Sequence, residues 1–135
     1  MYESMSAQFR RRPIMHRQIR AKEREFMKDF TYTLGIDIGS TTVKIAVLDA
    51  GNNLLFADYE RHFANIQETL SSLLEKAKEK LGELTVHPVI TGSGGLTLAN
   101  HLEIPFVQEV IAVSTSLQTF APKTDVAIEL GGEDA

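Results

Sequence analysis

The sequence predicts a mixed α/β domain, with a three-strand meander followed by helix–strand–helix–strand. Three observations predict it. Apolar, β-branched runs near 32–38, 43–49 and 54–62 are separated by short turns rich in glycine, asparagine and small hydroxyl residues, the pattern of adjacent strands. Segment 66–81 places Ile66, Leu70, Leu73, Leu74, Ala77 and Leu81 on one helical stripe. Beyond it, strand-like and helix-like segments alternate, the order of an α/β sheet.

Each element has its own signals. Gly51-Asn52-Asn53 supplies the turn between the second and third strands. Asn65 and Glu68 form a capping pair ahead of the helix 66–81, and Gly82 stands where a C-terminal cap belongs. Val86 to Thr91 reads as a buried strand leading into Gly92-Ser93-Gly94-Gly95, then a short helix from Leu96 to Leu102. A brief strand at 105–107 precedes a helix at 109–120, ended by Pro122, and the last strand is 125–130. Residues 14–29 have helical character but a weak apolar stripe (Ile14, Ile19, Phe26). The expected organisation is therefore a basic helical or flexible extension over 1–30 and one domain over 31–135.

Composition bounds the function. At 135 residues, 43% apolar, the chain has enough material for one real core. No run is long enough to span a bilayer, and the start lacks the apolar stretch of a secretory signal, so a soluble cytoplasmic protein is expected. Zero cysteines exclude disulfides, thiolate metal sites and a ligated iron–sulfur cluster within this chain. His16, His62, His87 and His101 are scattered, without helical ligand spacing, and read as hydrogen-bonded or exposed side chains rather than metal ligands. Residues 1–30 carry eight Lys/Arg against four acids, and the rest carries six against fourteen. Arg10-Arg11-Arg12 invites nucleic-acid or membrane-surface binding. Interspersed acids and few aromatics favour a solvated extension, so neither partner is expected.

The chemistry concentrates in Leu34-Gly-Ile-Asp-Ile-Gly-Ser-Thr-Thr-Val-Lys44. A strand reaches Asp37, then turns through Gly39, Ser40, Thr41 and Thr42 into a second strand carrying Lys44. Backbone amides of such a turn can line an anion. A carboxylate there suits a hydrated magnesium ion, and a lysine offers phosphate oxygens a point charge. The alternative is a plain hairpin turn with Lys44 on a solvated face. Neither a Walker P-loop nor the dinucleotide fingerprint fits, because no Gly-Lys-Ser/Thr follows and the next element is a strand.

A second segment bears on that choice. Asp125-Val-Ala-Ile-Glu-Leu-Gly-Gly-Glu-Asp134 again runs an apolar strand with a carboxylate, Glu129, into Gly131 and Gly132. Alone it would be an ordinary strand-ending turn. Two strand–acid–glycine modules together are what a split phosphate clamp needs, since phosphoryl transfer rests on positioning and charge stabilisation. Gly92-Ser93-Gly94-Gly95 has the simpler reading of a tight strand-to-helix turn.

The pair resembles the actin-like ATPase superfamily, whose half-domains have a ribonuclease H-like fold. The words look most like the activator ATPases of 2-hydroxyacyl-CoA dehydratases and benzoyl-CoA reductases (the BadF/BadG/BcrA/BcrD family). Gly35-Ile-Asp-Ile-Gly-Ser-Thr-Thr-Val-Lys44, Thr91-Gly-Ser-Gly-Gly95 and Glu129-Leu-Gly-Gly-Glu-Asp134 carry the resemblance, which runs from Tyr32 to the last residue. The family's second phosphate word usually opens with Asp where this chain has Glu129, and often has Gln at the position of Glu133. In the family, a cluster-binding cysteine and a glycine-rich adenosine-contacting segment come after the point where this sequence stops.

The resemblance implies ATP or ADP with magnesium as cofactor and a [4Fe-4S] cluster bridging a homodimer of the full protein. It also implies ATP-driven electron transfer to a dehydratase or reductase partner or fused domain. Asp37 would hold magnesium through water, Gly39 to Thr42 and Lys44 would hold phosphates, and Glu129 would face the metal or the attacking water. Gly131, Gly132 and Gly94 would border the nucleotide. Glu109 matches a commonly acidic family position and reads as structural or interfacial. On this reading the chain is an N-terminal fragment, inactive in hydrolysis by itself. The alternatives are a fragment of a small-molecule kinase of the same superfamily, or a non-catalytic interaction module.

Overall fold

The computed structural model describes residues 32–130. The expected extension over 1–30, and Gly131, Gly132, Glu133 and Asp134, lie outside the described residues. Four strands, β1 (Tyr32–Ile38), β2 (Thr42–Asp49), β3 (Leu54–Arg61) and β4 (Val86–Thr91), form one sheet in the order β3-β2-β1-β4. The helices are α1 (Ile66–Leu81), α2 (Gly95–Leu102) and α3 (Glu109–Phe120).

β1 pairs antiparallel with β2 and parallel with β4. The parallel pairing needs a crossover, and α1 provides it. Alternation decides which side chains enter the core. Leu34, Ile36 and Ile38 of β1 stand opposite Val47, Ile45 and Val43 of β2, and all six are buried. Leu70, Leu73 and Ala77 of α1 join the same cluster, as do Ile90 of β4 and Ala99 of α2. Burying each of the larger side chains stabilises the fold by about 1.5–3 kcal/mol. The alternate positions, Gly35, Asp37, Lys44 and Ala46, then occupy the opposite face.

Local chemistry sets the boundaries. Asn65 accepts a hydrogen bond from the Glu68 amide at 3.4 Å and donates through its side-chain amide to the Glu68 carboxylate. Gly82 closes α1 at φ 78°, its amide bonding the Lys78 carbonyl at 2.8 Å. Asp49 braces the turn after β2 by accepting from the amides of Gly51 (2.8 Å) and Asn53 (2.9 Å).

Two expected strands are absent from the sheet. The segment 105–107 makes only a single parallel bridge, Phe106 to Ile90, with bonds from Ile90 to the Pro105 carbonyl and from Val107 to the Ile90 carbonyl. Pro105 has no amide hydrogen with which to extend that ladder. Residues 125–130 form no strand either. The bridge occupies the β4 edge at Ile90, and residues 125–130 pair with none of the described strands. Val126, Ile128 and Leu130 remain 75%, 81% and 88% exposed. Among the described residues, no helix is long and apolar enough to cross a membrane.

Candidate functional site

The site forms where β1 and β4 end side by side. Parallel register sets Asp37 opposite Thr91, and antiparallel register sets Asp37 opposite Lys44. All three lie on the sheet face away from α1. Lys44 Nζ approaches Asp37 Oδ2 at 3.2 Å, and the lysine side chain is 56% exposed while the aspartate is 25% exposed. The other carboxylate oxygen, Oδ1, is buried without a protein partner, and so is Thr91 Oγ1. Two such oxygens at neighbouring strand ends are costly to strip of water. They fit the water shell of a hydrated cation, whose coordinated waters donate to oxygen acceptors. Among the described residues, no group of three or more His, Cys, Asp and Glu is arranged to hold a metal ion.

The Gly39-Ser40-Thr41-Thr42 segment is a hairpin turn, closed by the Gly39 amide bonding the Thr42 carbonyl at 2.9 Å. The hairpin and phosphate readings are compatible, but the Gly39 amide is already engaged within the turn. Ser40 is exposed. Behind the turn, His62 is 8% exposed. Its Nε2 lies 3.2 Å from the Gly39 carbonyl, and its backbone amide bonds the Thr41 carbonyl at 3.1 Å. It is thus the hydrogen-bonded histidine that its scattered placement suggests.

The second glycine loop presses against the same strand end. Gly92 adopts φ +94°, and a Cβ there would collide with Asp37 Oδ1 and the Ile38 carbonyl. Only glycine lets β4 come that close to the aspartate. The Gly94 amide bonds the Ile38 carbonyl at 2.8 Å, so Gly94 ties this loop to the end of β1 beside the hairpin turn.

Glu129 sits in the exposed segment after α3, with its carboxyl close to that of Glu109 at the start of that helix. The neighbouring Glu129 carboxyl, partial burial and the charge of Asp37 push the Glu109 carboxyl above the usual glutamate range, with Lys44 opposing. Asp37, Lys44, Glu109 and Glu129 therefore share one electrostatic neighbourhood. By sequence Glu109 reads as structural or interfacial, and the Thr91 hydroxyl carries no signal of its own. Thr91 could be found only through the parallel register, which no local signal encodes.

Between this sheet face and α3 runs an open groove of about 1060 Å³, lined by Gly35, Ala46, Ala57, Val89, Ile111 and Phe120 among others. Asp37 and Lys44 also border it. α3 buries none of its residues.

No protein-family model matches this sequence, and none of the curated proteins matches it. Solved structures do. The activator of the 2-hydroxyisocaproyl-CoA dehydratase from Clostridium difficile, with bound ADPNP, aligns with a TM-score of 0.59 and 26% identity, over 69% of this chain and 35% of its own. The (R)-2-hydroxyglutaryl-CoA dehydratase component A of Acidaminococcus fermentans aligns with a TM-score of 0.54 and 23% identity, over 69% of this chain and 36% of its own. The chain thus spans about a third of the length of each. Over the aligned stretch it has the α/β fold of an actin-like ATPase half-domain, and it resembles the activators of 2-hydroxyacyl-CoA dehydratases.

Proposed function

We propose that this chain supplies one wall of a magnesium–nucleotide site in an activator-type ATPase. The observation that carries the reading is the unpartnered, buried Oδ1 of Asp37 at the end of β1, with Lys44 on its other oxygen and Thr91 alongside. A neighbour that holds ADPNP supports it. Asp37 and Thr91 would hold waters of a magnesium ion, whose charge would offset that of the phosphate oxygens. Lys44 would exchange its partner Asp37 for a phosphate oxygen, and amides beyond Gly39 would accept the anion. Glu129, with Glu109, would face the same ion or the attacking water from the opposite side. Gly131 and Gly132 would border the phosphates there.

The whole protein would couple ATP hydrolysis to electron transfer toward a 2-hydroxyacyl-CoA dehydratase or benzoyl-CoA reductase partner, acting as a cytoplasmic homodimer. This chain has no cysteine to ligate the [4Fe-4S] cluster such a scheme uses, so no electron-transfer step is derived from its residues. Residues 31–135 would form the ATPase subdomain, and residues 1–30 a basic extension.

The test is calorimetric titration of the chain with magnesium and ADPNP. Binding is expected on the order of millimolar, since one wall leaves most ordering costs uncompensated. Asp37→Ala should abolish the magnesium-dependent part, and neither protein should hydrolyse ATP at a measurable rate. Turnover by the wild-type chain that Asp37→Ala removes would overturn the expectation of an inactive half-site. Exposed Val126, Ile128 and Leu130 favour a second reading, an interaction module. Partner binding that Asp37→Ala leaves intact, with no response to nucleotide, would select it.

A further inference from the structure

His62 holds the Gly39–Thr42 turn from behind. It approaches the turn from the β3–α1 connection and holds it twice, by its backbone amide on the Thr41 carbonyl (3.1 Å) and by its ring on the Gly39 carbonyl (3.2 Å). The ring's other nitrogen decides the tautomer. Nδ1 lies 3.1 Å from the Ala64 amide, which can only donate. Nδ1 must therefore be the bare acceptor, and a neutral ring then carries its hydrogen on Nε2, aimed at the Gly39 carbonyl.

That bond has a consequence for the next residue. The described residues contain no cis peptide bond, and in a trans peptide the carbonyl of one residue and the amide of the next point in opposite directions. Fixing the Gly39 carbonyl on His62 turns the Ser40 amide away from His62, toward the solvent side on which Ser40 is exposed. The Gly39 amide is engaged by Thr42, which leaves Ser40 as the turn's first outward donor. Glycine before that peptide would otherwise let it rotate freely.

The backbone around His62 is shaped to keep the ring in place. Phe63 and Ala64 follow it at φ 44° and 66°, a left-handed conformation that residues with side chains rarely adopt. Two consecutive positions of that kind persist where surrounding contacts over-determine them. Here they swing the chain back so that the Ala64 amide meets Nδ1 and the Asn65 amide meets the His62 carbonyl at 2.6 Å.

We propose that His62, as its Nε2–H tautomer, is a positioning residue that orients the Gly39–Ser40 peptide so that the Ser40 amide faces a bound phosphate. This rests on the nucleotide-site reading above. Two substitutions separate the ring's functions. His62→Gln retains a donor near the Nε2 position, and His62→Asn retains an acceptor near the Nδ1 position. ADPNP with magnesium should bind the Gln variant within about threefold of wild type and the Asn variant about tenfold more weakly, the effect of losing one buried hydrogen bond. Both should unfold at similar denaturant concentrations. Equal weakening in both variants, or none in either, would overturn the proposal. Nitrogen-15 shifts of the ring, recorded on the nucleotide-free chain, should identify Nδ1 as the unprotonated nitrogen. The opposite tautomer would overturn it whether or not nucleotide binds. The expected tautomer in a wild-type chain that binds no nucleotide would instead sink the phosphate-site reading, and the positioning role with it.

Discussion

Asp37 and Glu129 sit in closely similar words, a run of apolar residues with an acid that leads into glycine, yet the fold treats them in opposite ways. Asp37 ends a strand with neighbours on both sides, and the side chains flanking it, Ile36 and Ile38, are 4% and 0% exposed. Glu129 lies in a segment outside the sheet whose flanking residues, Ile128 and Leu130, are 81% and 88% exposed. A strand is made by its partners more than by its own sequence. β1 has β2 and β4, whereas residues 125–130 pair with none of the described strands. The first module is thus a fixed site, and the second is an acid on an exposed segment beside the Glu109 carboxyl.

Paired substitutions test that contrast most sharply. Ile38→Ala should lower unfolding free energy by about 2–5 kcal/mol, because it opens a cavity between the sheet and its helices. Ile128→Ala should stay within about 0.5 kcal/mol. Urea denaturation of both variants checks the pair, and equal losses would show that residues 125–130 are packed. Glycines give the next largest effect. Gly92→Ala should destabilise by about 3 kcal/mol and weaken magnesium–nucleotide binding, since its methyl meets Asp37 and Ile38 at a left-handed φ. Gly82→Ala also has a positive φ, but its methyl would stand in open space, and it should cost about 1 kcal/mol with no effect on binding.

The smallest effect concerns acid stability at the far end of the hairpin. Hydrogen bonds from the Asn53 side chain and backbone, together with the Gly51 amide, hold Asp49 below the ordinary aspartate range. A carboxylate whose folded pKa is lowered contributes stability above its unfolded pKa and loses it as pH falls through the folded value. Asp49→Asn should therefore flatten the acid limb of a thermal-stability profile below about pH 4. An unchanged limb would mean that the turn's carboxylate has no part in it.

Much of this was legible in the sequence because it is local. Alternation placed β1, β2 and β3, the apolar stripe placed α1, and Asn65, Glu68 and Gly82 fixed its ends. Asp37 and Lys44 could be linked because a hairpin sets their register. What stayed hidden depends on non-local pairing. Thr91 meets Asp37 only through a parallel register, and His62 reaches Gly39 only because β3 runs back along β2. The expected strand at 125–130 had the right residues, and residues 105–107 had a short apolar run that opens with Pro105. Neither signal says which edge is free, so pattern alone overstated both.

The mixed sheet also sets an order of assembly. Asp37 and Lys44 are seven residues apart in sequence, whereas Asp37 and Thr91 are separated by 54. For a flexible chain, closing the longer loop loses about 2 kcal/mol more entropy than closing the shorter. Local hairpins form in microseconds and distant pairings follow more slowly. A folding molecule is therefore expected to join the charge pair first and to bring up the Thr91 hydroxyl only once the crossover has closed. The Asp37–Thr91 pair would mature after the hairpin, so a nascent chain would hold the lysine and the aspartate together before the two strand ends met.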